Sequence, residues 1–193
     1  MSEIKAVSPL MDGFEVGAPM DSHSGVVCYQ ATHTATKEKY VLKRISIPES
    51  SSQVEALLLT GACANEGEVK AYYQHVAREL RTELELQQQL VQRSGFAPFC
   101  GYQVEPKEDG IGYNIYILST FQVTLAAYAK KNALTHLNAV NLGIDLTVAL
   151  SDCHQAGYLY QDLKPENIFI NSQRQFQIGD LGFVPLDSLK YAT

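Results

Sequence analysis

Hydrophobic positions in the first half of the chain alternate over short runs and then give way to one long helical pattern. Residues 25–31 and 39–47 are rich in β-branched and aromatic side chains, and the polar stretch Thr32–Lys37 separates them. This pattern predicts a β-hairpin. Residues 53–92 lack proline and are rich in Ala, Leu, Glu and Gln, which favours helix. Glycines in its first half predict that a short helix precedes the long one.

The second half of the chain changes from strands to helices. Two further strands are predicted around the turn Asp109-Gly110, and two helices and a short hairpin follow them. The predicted ranges are strands at 99–105 and 113–119, helices at 124–131 and 136–157 with Gly157 as the C-terminal cap, and strands at 168–170 and 176–178. This order is an α+β pattern in two parts, with the boundary near Ser119–Thr124.

Composition and charge narrow the range of functions. The chain of 193 residues is 46% hydrophobic and 19% charged, which is typical of a globular protein. The net charge is -6, and the sequence contains no cluster of basic residues. A nucleic-acid partner is therefore not expected. No apolar run approaches the roughly 20 residues that span a bilayer, and the N-terminus does not resemble a signal peptide. We therefore expect no membrane segment and a cytoplasmic location, while the oligomeric state stays open.

Several common site patterns are absent. The four cysteines lie at least 35 residues apart, which disfavours a CxxC metal or redox site and favours free thiols. The sequence contains no HExxH, GxxxxGK[ST] or GxSxG pattern, which disfavours a zinc protease, a P-loop enzyme or an α/β-hydrolase.

The most specific stretch of the chain is Tyr160–Ile170, which reads YQDLKPENIFI. Thirteen residues after Asn167 comes the triplet Asp180-Leu181-Gly182. Together the two stretches resemble the catalytic loop and the metal-binding DFG motif of eukaryotic-like protein kinases of the Ser/Thr type. A polar turn between a helix and a hairpin would explain Asp162 or Asn167 singly, but it does not explain the whole combination.

The resemblance implies a two-lobe kinase-like fold, with an antiparallel-sheet N-lobe and a long helix followed by the first part of a helical C-lobe. It also implies ATP and Mg²⁺ as cofactors and a protein as substrate. In that comparison Asp162 is the catalytic aspartate, and Lys164 contacts the transferred phosphate. Asn167 and Asp180 are the metal ligands, in keeping with the preference of Mg²⁺ for hard oxygen donors.

The resemblance further implies a lysine on the third strand and a glutamate on the following helix. Lys43, at the end of the run Tyr-Val-Leu-Lys, matches the lysine that binds the α- and β-phosphates. Glu83 matches its partner, and Glu79, one turn earlier on the helix, is the alternative. Without the other motifs, Lys43 would be an ordinary solvated strand residue. The interval between the two is longer than usual in the family, and we assign the excess to an insertion at about 48–68.

The glycine-rich loop is the weakest part of the match. The family pattern is G-x-G-x-x-G-x-V, and Gly17, Gly25 and Val27 are the candidates for its two ends and its valine. The middle glycine is missing, so residues 18–24 would have to fold over the phosphates as a loop. A plain hairpin turn is an equally good reading of this segment.

Other nucleotide contacts follow from the same alignment. Leu118 matches the gatekeeper beside adenine, and backbone groups of Ser119 and Phe121 would bond the adenine edge. The side chains expected on the two faces of the adenine ring are Val27, Val41 and Phe169. Ordinary core packing is the alternative for each of these positions.

The expected domain arrangement is a tail at 1–12, a kinase N-lobe at 13–118 and a hinge with a partial C-lobe at 119–193. The chain stops eleven residues after Gly182, before the segments that complete a kinase domain, so we expect an incomplete domain that ends in the activation segment. The unusual glycine loop and the insertion resemble a divergent bacterial member of the family.

Two further interpretations stay open at this point. The missing glycine, together with Tyr160 and Gln161 in place of the usual His-Arg, is also compatible with a pseudokinase or a nucleotide- or partner-binding module without transfer activity. A kinase acting on a small molecule is the third possibility.

Overall fold

The structure is a computed structural model that describes residues 9–23 and 25–185. The chain divides into two compact units. The first comprises the chain up to Thr82 together with Cys100–Phe121, and the second comprises Glu83–Phe99 and the chain from Gln122 onward. Most of the predicted N-terminal tail, and the predicted activation-segment residues after Pro185, lie outside the described residues.

An antiparallel sheet and two helices make up the first unit. Five strands lie in the order β1-β2-β3-β5-β4. The elements are β1 (Phe14–His23), β2 (Val26–His33), β3 (Lys39–Ile47), α1 (Ser51–Leu59), α2 (Glu66–Leu90, which continues into the second unit), β4 (Phe99–Pro106) and β5 (Tyr113–Thr120). The predicted α+β class, with an antiparallel sheet and a long helix in its N-terminal half, is confirmed.

Strand β1 was not predicted. The segment assigned to a phosphate-binding loop, 18–24, is strand as far as His23. The prediction was wrong because Pro19 reads as a loop residue and two register shifts, on either side of Pro19, break the alternation that marks a strand.

The sheet of the first unit has a core on each face. Tyr29, Ala31, Leu42, Tyr116 and Leu118 are buried together on one face. A second buried cluster, which includes residues of the predicted insertion, consists of Cys63, Val69 and Tyr73, with Ile47, Val54, Leu57, Leu58 and Ile111 packed against it. The segment at 48–68 therefore contributes to the core of the first unit.

Helices and short two- and three-residue strands make up the second unit. Its elements are β6 (Val123–Thr124), α3 (Leu125–Ala129), α4 (His136–Gln155), β7 (Tyr158–Tyr160), β8 (Ile168–Ile170), β9 (Phe176–Ile178) and β10 (Phe183–Pro185). A capping box between Thr135 and Asn138 begins α4. Gly157 follows its last residues with φ 85°, which confirms the predicted C-terminal cap.

One face of α4 carries the core of the second unit. Ala149 and Cys153 on this face are fully buried among Leu86, Phe96 and Ile178. Burial raises the pKa of the Cys153 thiol to about 11, so this thiol is neutral at physiological pH. Within residues 9–23 and 25–185, no helix is long and apolar enough to cross a membrane.

We expect Gly95→Ala to destabilise the protein because α4 passes directly over Gly95. A Cβ atom at this position would lie 2.7 Å from Ala149 Cβ and 3.0 Å from Ala149 Cα. Overpacking of this kind costs about 1–3 kcal/mol of unfolding free energy. Urea denaturation measures the change. The control is Gly143→Ala, which has open space around it in α4 and should stabilise by about 0.5–1 kcal/mol. Equal stability of Gly95→Ala and the unmodified protein would contradict the packing described.

Candidate functional site

The loop between β7 and β8 is folded around the side chain of Asn167, which is buried. Its amide nitrogen Nδ2 donates to the backbone carbonyl of Asp162 at 3.0 Å and to the carboxylate Oδ2 of Asp162 at 2.8 Å. The backbone N–H of Asn167 donates to the carbonyl of Lys164 at 2.9 Å. Three predicted site residues of this loop are therefore in contact.

Asp162 is held by two groups and still reaches solvent. Lys164 Nζ lies 2.7 Å from Asp162 Oδ2, and each of these two side chains is 48% exposed. The hydrogen bond to Asp162 raises the pKa of Lys164. The amide of Asn167 and the cation of Lys164 both bind the Oδ2 atom of Asp162. A carboxylate that is fixed in this way and is open to solvent can accept or orient the proton of a hydroxyl group.

The turn that contains Asp180 lies against this loop. Asp180 has φ 68°, and its carboxylate Oδ1 accepts the N–H of Leu181 at 2.9 Å. The N–H of Gly179 donates to the carbonyl of Asn167 at 3.0 Å, which ties the beginning of the turn to the loop. At the other end, a Cβ on Gly182 would lie 3.0 Å from Asp162 Cβ. Only glycine fits this approach, and it brings Asp162, Asn167 and Asp180 to one place in the second unit.

Glu83, on α2, belongs to the same cluster. Its carboxylate Oε1 accepts the backbone N–H of Gly182 and, at 2.7 Å, that of Phe183. The sequence predicted Glu83 as a site residue, but it did not predict these two bonds. Lys43, the predicted partner of Glu83, belongs to the first unit, and their pairing stays a prediction.

We expect Glu83→Ala to loosen the Asp180 turn. The change removes the acceptor of two backbone N–H groups, and hydrogen bonds to charged groups contribute about 1.5–3 kcal/mol each. Hydrogen exchange should therefore be faster at the amides of Gly182 and Phe183. Glu83→Gln is the matched control because it keeps a side-chain oxygen at this position and should show a smaller change. Unchanged exchange in Glu83→Ala would contradict the proposed contacts.

The side chains of this cluster fit a magnesium ion. Asp180 presents a carboxylate, and the amide of Asn167 presents its oxygen, because its nitrogen is committed to Asp162. Among the described residues, no group of three His, Cys, Asp or Glu side chains could hold a metal. Magnesium often takes only one or two protein ligands and completes its shell with phosphate oxygens and water, so this donor set suits it.

In the first unit, Lys43 and Val41 lie on one face of the sheet. In the antiparallel register, Lys43 is opposite Cys28 and Ile117, and Val41 is opposite Ser119. Opposite residues in such a register point to the same face. Cys28 and Ile117 are thus neighbours of Lys43 that the sequence pattern did not indicate. They could have been identified from the sequence only if the pairing of β3 with β2 and with β5 had been known.

Two predicted adenine contacts lie on the other face of this sheet. Val27 is opposite Arg44, and Leu118 is opposite Leu42. Leu118 is buried in the core cluster with Leu42, and Val27 packs against the same cluster. Because neighbouring residues of a strand point to opposite faces, these two side chains face away from Lys43 and Val41, and their contact with adenine stays a prediction.

The predicted backbone contacts to adenine also stay predictions, and the register of β3 and β5 shows where these backbone groups point. The N–H of Phe121 donates to the carbonyl of Lys39 at 3.1 Å, so it is used by the sheet. Since hydrogen bonding alternates along an antiparallel strand, the backbone groups of Ser119 also point towards β3. Those of the intervening residue, Thr120, point away from β3.

The two glycines of the predicted phosphate loop have different surroundings. Gly17 lies within β1, beside a register shift. Gly25 has φ 74° in the β1–β2 turn, and its carbonyl accepts the N–H of Ser46 at 2.9 Å. A Cβ at Gly25 would lie 3.0 Å from both Ser46 O and Glu49 Cβ. Local packing alone therefore requires a glycine at 25, and a role in phosphate binding stays a prediction for both.

Phe169, the remaining predicted adenine contact, lies in β8 of the second unit. It is half-buried, and its ring lies directly over Gly179, where a Cβ would come within 2.7 Å of Phe169 Cε2. Phe169 therefore supports the backbone just before Asp180. The predicted contact with adenine is a proposal that we keep.

Comparison with known proteins agrees with the motifs. The family model described as protein kinase domain matches residues 22–188. The chain is 33% identical over 73 residues to an Aurora kinase of Candida albicans. This alignment covers 36% of this chain and 14% of that protein. It is 27% identical over 111 residues to the Aurora/IPL1-related protein kinase 2 of Caenorhabditis briggsae, covering 56% and 34%. It is also 27% identical over 86 residues to the probable serine/threonine-protein kinase KCC4 of Saccharomyces cerevisiae, covering 39% and 8%. These alignments span at most about a third of each relative.

Proposed function

Because this chain belongs to the protein kinase domain family, we propose that it transfers the γ-phosphoryl group of ATP to a serine or threonine hydroxyl of a protein. The observation that carries the proposal is the cluster in the second unit, where Asp162, Lys164 and Asn167 contact one another and Asp180 lies beside them. Phosphoryl transfer requires mainly positioning and charge neutralisation, and these side chains provide both.

Each residue of the cluster has a role in this proposal. The carboxylate of Asp162 orients the hydroxyl of the substrate and takes its proton, and Lys164 places a positive charge beside the transferred group. Asn167 and Asp180 would hold Mg²⁺ through side-chain oxygens. When bound, the ion supplies positive charge against the phosphate oxygens of ATP.

The nucleotide contacts in the first unit are proposals of the same kind. Lys43 would bind the α- and β-phosphates, and the face of the sheet that carries Val41 and Ser119 would receive the adenine. The pairing of Lys43 with Glu83 would hold the lysine in place. A protein substrate and a cytoplasmic location also belong to the proposal.

A second candidate function is binding of a nucleotide or a partner without transfer. It is favoured by the β1–β2 turn, where Gly25 is explained by packing against Ser46 and Glu49. Gly17 lies in a strand, and the middle glycine of the family pattern is missing from the sequence.

A transfer assay separates the two functions. The purified chain is incubated with γ-labelled ATP, Mg²⁺ and casein as a general acceptor, and phosphoamino acids are identified after hydrolysis. Labelled phosphoserine or phosphothreonine, absent with Asp162→Asn and present with the surface variant Asp152→Asn, supports the kinase. ATP binding without any transfer would support the binding module and contradict the kinase.

A further inference from the structure

A groove lies between helix α2 and the sheet within the first unit, and its volume is about 440 Å³. The residues that line it are Gln74, Ala77, Arg78, Arg81, Val104 and Tyr113. Tyr113 is opposite Ile47 on β3, so the groove is on the face of the sheet that carries Lys43. Lys43 is opposite Ile117, and the step along β5 from Ile117 to Tyr113 is about 13 Å. The groove is therefore separate from the predicted phosphate contact at Lys43.

The wall of the groove that α2 provides is basic. Arg78 and Arg81 lie on the side of the helix that carries Gln74, because residues three and four positions apart are neighbours on a helix surface. Arg78 Nε donates to the carbonyl of Gln74 at 3.3 Å. This bond holds the side chain along its own helix and leaves its two terminal nitrogens available to a ligand. Two guanidinium groups, about one turn apart, therefore line the same wall.

The other lining residues combine an apolar floor with further hydrogen-bond donors. Ala77 is buried, and Val104 and Tyr113 are half-buried. The side-chain amide of Gln74 and the hydroxyl of Tyr113 make no hydrogen bond to another residue that the structure describes. None of the described residues that line the groove is acidic. The groove thus presents positive charge and donors around an apolar surface.

Ion pairing within the chain does not account for the two arginines. Acidic side chains outnumber basic ones by 21 to 15, so carboxylates are in excess. Arg78 and Arg81 are nevertheless exposed, and neither forms an ion pair with a residue in the described ranges. The carboxylate of Glu79, on the same helix, lies 3.2 Å from His75 instead. An anionic ligand would supply the acceptor that both arginines lack.

We propose that this groove binds a small aromatic phosphate monoester. Such a phosphate carries a charge of about -1.5 to -2 at neutral pH, which two arginines balance. The planar guanidinium group binds two phosphate oxygens at once through paired hydrogen bonds. The volume of about 440 Å³ suits a small molecule, whose ring would lie against Val104 and Tyr113. This inference goes beyond the proposed kinase function and does not depend on it.

The test titrates phenyl phosphate into the whole chain and follows the backbone amide signals by NMR, after circular dichroism has shown that each variant folds. We expect Arg78→Ala and Arg81→Ala each to weaken binding by about tenfold or more, because each removes charge-assisted hydrogen bonds. Arg81→Lys keeps the charge but loses the paired geometry, so it should weaken binding by about threefold. The control is Lys131→Ala, which removes an exposed charge from the second unit and should bind like the unmodified protein.

The probe itself can be varied to separate the contributions of its two parts. Inorganic phosphate carries the charge without the ring, and phenol carries the ring without the charge. Both should bind at least about tenfold more weakly than phenyl phosphate if the arginines and the apolar floor act together. The affinity for phenyl phosphate should also fall below about pH 6, because the phosphate takes up a proton there while the arginines stay charged.

Several results would overturn the inference. Equal affinities of Arg81→Ala and Lys131→Ala would remove the arginine wall from the site, and equal affinities for phenyl phosphate and inorganic phosphate would remove the apolar floor. Binding that is lost in Lys43→Ala and kept in Arg81→Ala would place the probe at the predicted nucleotide contact. Tighter binding of a phosphoserine peptide than of phenyl phosphate would assign the groove to a protein partner instead of a small molecule.

Discussion

Replacement of Asp162 by asparagine is expected to reduce phosphate transfer by about 10²- to 10⁴-fold, which is the usual contribution of a general base. The amide has the shape of the carboxylate, and its oxygen can still accept the bond from Asn167 Nδ2. The change removes the negative charge that takes the proton of the substrate hydroxyl and that pairs with Lys164 at 2.7 Å. Binding of ATP should therefore be retained.

Initial rates of labelled phosphate transfer, measured beside calorimetric ATP affinities, check this expectation. Asp152→Asn is the matched control, since Asp152 lies in the same unit and forms a partly exposed ion pair with Arg93. Transfer by Asp162→Asn at the rate of Asp152→Asn would remove Asp162 from the chemistry. A loss of ATP affinity as large as the loss of rate would assign Asp162 to binding instead.

Replacement of Asp180 by asparagine is expected to lower transfer by about a hundredfold or more, because the ion that it would hold stabilises transition-state charge by several kcal/mol. Asparagine keeps an oxygen to accept the N–H of Leu181, so the turn should retain its backbone conformation. The variant loses the charged ligand, and we expect its ATP affinity to depend only weakly on Mg²⁺.

Transfer rates at increasing Mg²⁺ concentration test this second expectation, again with Asp152→Asn as the control. Hydrogen exchange at Leu181–Phe183 shows whether the turn is intact. A rate and a Mg²⁺ dependence equal to those of the control would exclude Asp180 as a metal ligand. A disordered turn with a normal Mg²⁺ dependence would exclude it as well.

The parts of the fold that the sequence predicted correctly are those with strong local signals. Strands β3 and β5 are long runs of β-branched and aromatic residues, and α2 has no proline over its length. The end of α4 was marked by Gly157, whose positive φ few other residues adopt. Strand β1 lacked such a signal, because Pro19 and two register shifts interrupt its alternation.

The predictions for the candidate site likewise depend on whether a local sequence signal is present. The residues of the loop and the turn could be predicted because Asp162, Lys164, Asn167 and Asp180 lie in short motifs with fixed spacing. Their contacts with one another follow from local backbone geometry, as when the carbonyl of Asn167 accepts the N–H of Gly179.

The remaining site predictions depended on strand register, which a single sequence does not give. A shift of one position moves a side chain to the other face of the sheet, and the register places Leu118 in the core with Val27 packed against it. The bonds of Glu83 to Gly182 and Phe183 join residues about a hundred positions apart in the chain, so no local pattern could indicate them.

The central claim is that the loop and turn of the second unit form a site for ATP with Mg²⁺, and calorimetric titration of ATP into the unmodified protein tests it most directly. The titration is made once without divalent ions and once with saturating Mg²⁺. We expect Mg²⁺ to increase the affinity for ATP by about tenfold or more. The same affinity in both titrations, or no binding by the folded protein, would contradict the account.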